Sequence, residues 1–135
     1  MTQNTETRTV TIEREMPHPL DKVWRALTEG SLLEQWLMRN DFEPVVDHTF
    51  KFTADWGSVD CRVITVDPKT TLAYSWEAYG IATVVTFTLT PTSTGTSLRM
   101  EQSGFPMSND QAYKGAQYGW QKFLGAMEEV VAGLD

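Results

Sequence analysis

Trp36, Phe52, Trp56, Trp76, Phe87, Met100, Tyr113, Tyr118 and Trp120 are the side chains of this sequence best suited to forming a ligand site. They are large, polarisable and spread over segments that should face one another. Aromatic walls with a few polar tips hold apolar molecules by burying their surface. A buried indole N–H also needs an acceptor, which a ligand or a water can provide. Five Trp in 135 residues is a large supply of such groups. The same nine residues suit plain core packing equally well, and the sequence leaves both readings open.

Other reactive groups are sparse. His18 and His48 are the two histidines, each in a turn. A metal site usually needs three or four convergent ligands, and no His-x-x-x-His, Cys-x-x-Cys or Glu-x-x-His spacing occurs. No metal is therefore expected. Asp47-His48 resembles an acid–base pair, but adjacent strand residues point to opposite faces. Cys61 sits beside Arg62, which should point away from it and leave the thiol unactivated. A buried, inert cysteine is the expectation. Asp60 and Glu101 should face solvent. Glu77 ends its strand and could look either way; burial beside Trp76 would raise its pKa, as in general acids. No phosphate-cradling glycine loop or dinucleotide fingerprint appears. No catalytic residue and no cofactor are expected from these groups.

The elements that must position the aromatic set follow from periodicity. Residues 7–16 alternate, with Val10 and Ile12 apolar, and predict a first strand. Pro17 and Pro19 end it. Leu20, Val23, Trp24 and Leu27 have the spacing of a short helix, with Pro19 at its first position and Gly30 at its stop. Ser31 and Glu34 form a capping box for a second short helix carrying Leu32, Leu33, Trp36 and Leu37. Strands are predicted at 42–46, 49–53, 59–66, 71–77, 83–90 and 96–102. Leu72, Tyr74 and Trp76 share a face, as do Val85, Phe87 and Leu89, and Leu98 and Met100. The runs are short with turns between them, so the sheet should be mostly antiparallel. A long amphipathic helix runs from 109 to about 132, capped by Ser108 with Gln111. Its apolar stripe is Tyr113, Ala116, Trp120, Phe123, Leu124, Met127, Val130 and Val131. Gly115, Gly119 and Gly125 interrupt it at about 1 kcal/mol each against alanine. They suggest close backbone approach or space left beside the sheet.

Composition narrows the class. The chain has 135 residues, 41% apolar, with a net charge of −7. That predicts one domain with a real core, with residues 1–6 expected to be flexible. No Lys/Arg cluster offers a nucleic acid or anionic membrane a surface. No run reaches the roughly 20 apolar residues of a membrane span. The polar start resembles no signal or transit peptide, and one cysteine precludes an internal disulfide. A cytoplasmic protein is expected.

The order of these elements resembles the START-like helix-grip superfamily, also called SRPBCC. Within it the chain is similar to the branch of heat-shock-protein-90 ATPase activator homologues. The matching stretches are Val23-Trp24-Arg25-Ala26-Leu27-Thr28, Leu33 to Trp36, and Phe50-Lys51-Phe52. Asp60-Cys61-Arg62-Val63 to Pro68 and Leu72-Ala73-Tyr74-Ser75-Trp76 follow. Val85-Thr86-Phe87-Thr88-Leu89-Thr90-Pro91, Gly95-Thr96 and Gly119-Trp120 complete the series. The chain departs from the pattern at Asp47, His48 and Thr49, where the family usually has glycine. The resemblance implies an α+β fold: a curved antiparallel sheet of six or seven strands around the C-terminal helix, with two short helices after the first strand. It also implies a cavity between sheet and helix. Members bind lipids, hormones, polyketides or chaperones, so fold alone leaves the activity open. The leading expectation is non-catalytic binding of a small hydrophobic or amphipathic molecule. The alternatives are a chaperone cofactor, a cyclase or hydrolase using the same pocket, and a chaperone or homodimer partner.

Overall fold

The structure, a computed structural model, describes residues 7–134. The expectation for residues 1–6 lies outside them. Seven strands form one antiparallel sheet: β1 (Thr7–Met16), β2 (Arg39–Asn40), β3 (Thr49–Ala54), β4 (Gly57–Asp67), β5 (Thr71–Ala78), β6 (Ile81–Pro91) and β7 (Thr96–Pro106). Their spatial order is β1-β7-β6-β5-β4-β3-β2. Helices α1 (Leu20–Thr28) and α2 (Gly30–Trp36) carry the chain from one edge of the sheet to the other, and α3 (Asp110–Ala132) closes the fold. This is the helix-grip α+β architecture.

Period-two alternation sets which side chains face inward. Val85, Phe87 and Leu89 of β6 are buried, as are Leu98 and Met100 of β7 and Val59, Cys61 and Val63 of β4. Against them pack Val23, Ala26 and Leu27 of α1, Leu33 and Trp36 of α2, and Leu124, Met127 and Val131 of α3. The three strand rows thus continue into one core with the helices.

Three local expectations are corrected. The segment 42–46 is not a strand. Asn40 Oδ1 accepts the Phe42 N–H at 3.0 Å and Glu43 O accepts the Val45 N–H at 2.8 Å, which removes the backbone from any ladder. Phe42 still packs its ring on Phe50, centroids 5.0 Å apart. At the glycine-poor turn that follows, Asp47 itself adopts φ 74°, a conformation Asp tolerates better than most residues. Second, α1 and α2 share Glu29 as cap residue, and Ser31–Glu34 makes no capping box. The Glu29 carboxylate is held by Arg25 at 2.8 Å, so it caps through its backbone alone. Gly30 opens α2, and a Cβ there would stand 3.0 Å from Asn40 Oδ1. Third, α3 is capped by Asn109, whose side chain accepts from Ala112 N at 3.0 Å, in place of Ser108.

Candidate functional site

Helix α3 changes character halfway along. Ala112, Gly115, Ala116 and Gly119 lie one above another at helical spacing and face the sheet across a gap. A Cβ added at Gly115 would meet nothing within 4 Å, and at Gly119 only the Phe123 ring edge at 3.9 Å. Below them Trp120 is 3% exposed, and from Leu124 onward the stripe is packed core. Small residues therefore hold a space open under the first half of the helix. Large ones close it beneath.

The space is a cavity of about 300 Å³. Trp76, Thr83, Gln102, Phe105, Trp120 and Phe123 form its walls, with Trp56, Tyr79 and Ile81 toward its opening. Trp56 and Tyr79 come from the β3–β4 and β5–β6 turns, are 51% and 79% exposed, and lie with ring centroids 5.7 Å apart. Tyr79 occupies the left-handed region at φ 53°, unusual for a bulky residue.

A bulge shapes the far wall. Opposite β1, Ser103 and Phe105 pair with consecutive residues Thr9 and Arg8, and Gly104 is the extra residue between them. One additional residue changes the phase of alternation. Gln102 and Phe105 can then both face the cavity. Gly104 permits this with φ 108°, where a Cβ would stand 3.0 Å from Ala82 O.

Gln102 is 3% exposed and sits in a directed chain of hydrogen bonds. Trp120 Nε1 donates to Gln102 Oε1 at 2.7 Å, Gln102 Nε2 donates to Thr83 Oγ1 at 2.9 Å, and Thr83 Oγ1 donates to Trp76 O at 2.9 Å. The indole N–H of Trp120 thus finds its acceptor within the protein. So does that of Trp36, which donates to Ala26 O at 2.8 Å.

The nine aromatic and methionine candidates divide. Trp56, Trp76 and Trp120 line the cavity. Trp36, Phe52, Phe87 and Met100 are buried in the core outside it. Phe52 and Phe87 support its walls from behind, 5.4 Å from Trp76 and 5.9 Å from Trp120 between centroids. Tyr113 lies beside the cavity, edge-on to Phe105 and under the Arg8 guanidinium at 4.2 Å. Tyr118 is 70% exposed, with Lys122 over its ring. Two residues from Trp120 is about 200° around a helix, so Tyr118 must face away from the sheet. Thr83, Gln102, Phe105 and Tyr79 are cavity residues the sequence reading did not select. Alternation from Leu98 and Met100 reaches Gln102 on the same face. A buried glutamine opposite a tryptophan helix was the available signal.

Groups with acid–base chemistry lie elsewhere. Glu77 is exposed on the outer face. Cys61 is 5% exposed, and burial first, then the nearby Asp60, Asp41 and Glu77, pushes its thiol pKa far up. Arg62 turns outward to Asp47 at 2.7 Å. Among the described residues no group of three His, Cys, Asp or Glu side chains converges as a metal site would require. None of their helices is long and apolar enough to cross a membrane.

A curved antiparallel sheet gripping a C-terminal helix over a lined cavity defines a START-like, SRPBCC-type domain. The family model for Activator of Hsp90 ATPase homolog 1-like protein matches residues 17–132, and the chain belongs to that family. Among solved structures it is similar to protein MLL2253 from Mesorhizobium loti, with 50% identity over 95% of this chain and 99% of that one, at a TM-score of 0.92. DynU16, a protein in the dynemicin biosynthetic locus, shares the fold at 23% identity and a TM-score of 0.84; the match covers 93% of this chain and 47% of DynU16. CalU16 from Micromonospora echinospora does so at 20% identity and 0.81, over 94% and 78% of the two chains. No curated protein matches the sequence.

Proposed function

We propose that this domain binds a small hydrophobic molecule, without catalysis, in the cavity between α3 and the sheet. The observation that carries the reading is the stripe Ala112, Gly115, Ala116 and Gly119, which leaves about 300 Å³ open beside a helix whose later stripe, Trp120, Leu124, Met127 and Val131, is packed as core. Ligand pockets start at about this size. Interior glycines cost helix stability, and here they cap no turn and relieve no clash. Among the described residues the cavity lining carries no carboxylate, imidazole, thiol or amine, which favours binding over the cyclase or hydrolase alternative. We also place the protein in the cytoplasm, since its single buried thiol suits a reducing compartment. The exposed Trp56–Tyr79 pair is read as the rim of the cavity. A chaperone-contact role would use the same pair as a protein surface.

N-phenylnaphthylamine, an apolar fluorophore, should bind saturably at micromolar concentration and quench Trp emission through Trp76 and Trp120. Gly115 lines the cavity at an exposed edge, so Gly115→Leu should narrow the opening and weaken the probe at least about tenfold. That corresponds to losing about 1.4 kcal/mol of binding. The fold should hold or gain, because leucine is the better helix former. A titration without saturation would remove the ligand-binding reading and leave the rim as a protein-contact surface. So would a Gly115→Leu variant that binds as wild type, at least for this cavity.

A further inference from the structure

The hydrogen bonds in the cavity wall fix which atoms of Gln102 are left for a ligand. The Trp120 indole N–H can only donate, so the Gln102 amide must turn its oxygen toward Trp120. Its nitrogen then faces Thr83, whose own hydroxyl proton is committed to Trp76 O and whose oxygen accepts. Rotating the amide by half a turn would set two donors against each other at Trp120. The orientation is thus determined by chemistry as well as by fit.

An amide nitrogen carries two N–H groups. One goes to Thr83, and Gln102 Nε2 has no other acceptor among the described residues. The second is left to the cavity that Gln102 lines while it is 3% exposed overall. Among the described residues no basic side chain lines the cavity to balance a ligand charge, and a buried unpaired carboxylate is strongly disfavoured.

We propose that Gln102 is a specificity-determining residue, and that the ligand is a neutral molecule with an apolar body and a carbonyl or ether oxygen that accepts the free Gln102 N–H. This rests on the ligand-binding reading above and narrows it to a chemical class. The ligand lies among Trp76, Phe105 and Phe123, with its oxygen at the Gln102 wall and its other end toward Trp56 and Tyr79.

The test uses two probes of nearly equal shape, acetylnaphthalene and isopropenylnaphthalene, which differ by a carbonyl oxygen against a methylene. Trp quenching should give the ketone an affinity about threefold to tenfold higher, the usual net worth of one hydrogen bond. The infrared carbonyl stretch of the bound ketone should move to lower frequency than in an apolar solvent. In Gln102→Glu at about pH 5, where a buried carboxyl stays protonated, the chain to Trp120 and Thr83 can persist but the free N–H is gone. There the preference should vanish and the stretch should return. The wild-type comparison stands even if that variant folds poorly. Equal binding of both probes to wild type, or an unshifted stretch, would overturn the assignment to Gln102 and leave a cavity that binds apolar molecules. Failure of both probes to bind would overturn the ligand-binding reading as well.

Discussion

Trp120→Ala should lose about 3–5 kcal/mol of folding stability in a urea titration, the range found when a buried tryptophan is truncated. Trp120 sits where the open and closed halves of α3 meet. Its ring contacts Trp76, Phe87 and Phe123 at centroid distances of 5.4, 5.9 and 5.7 Å. Truncation removes those contacts and joins the new void to the existing cavity. It also removes the donor that Gln102 Oε1 accepts from at 2.7 Å. Natural domains are stable by about 5–15 kcal/mol, so the loss would be a large part of the total. Trp120→Phe separates the terms. It keeps most of the ring and forfeits the N–H, and should cost about 1–3 kcal/mol. A loss below about 1 kcal/mol for Trp120→Ala would mean that α3 is not held to the sheet through this residue.

The fold was legible because its determinants are local. Alternation along 83–90 and 96–102 placed Val85, Phe87, Leu89, Leu98 and Met100 on inward faces, and they are buried there. The stripe Trp120, Leu124, Met127 and Val131 needed only helical periodicity. The cavity was less legible because an aromatic side chain reads alike over a void or in a core. Phe52 and Trp76 are ring neighbours, yet only Trp76 borders the open space. The difference comes from where α3 stands off the sheet, which Ala112, Gly115, Ala116 and Gly119 decide together. Gly104 adds a second non-local effect by re-phasing β7 so that Phe105 joins Gln102 on the wall. Tyr118 was excludable from helical geometry alone. The α3 cap moved by a residue because two good capping side chains stand together at Ser108-Asn109, and packing selects between them.

Cys61 should label with a thiol reagent at least about a thousandfold more slowly in the native protein than in the urea-unfolded chain. A side chain 5% exposed on the inner face of β4 reacts only when the sheet opens, and opening the core costs of the order of 5 kcal/mol or more. Burial also keeps it as the thiol, which is the unreactive form. The same shift predicts how stability depends on pH. Unfolded, the cysteine ionises near about pH 8.5, whereas the folded thiol keeps its proton well above that. Below the unfolded value both states are protonated and Cys61 contributes no pH dependence. Above it the native state holds the extra proton, so stability should fall by about 1.4 kcal/mol per pH unit. Tyr74, fully buried and pushed up by desolvation, should add a second decline above about pH 10. Cys61→Val fills a similar volume without a titratable group and should abolish the first decline while leaving the second. Rapid labelling of the native protein at neutral pH would show an accessible, activated thiol on β4. Such a result would return Cys61 to consideration as a nucleophile.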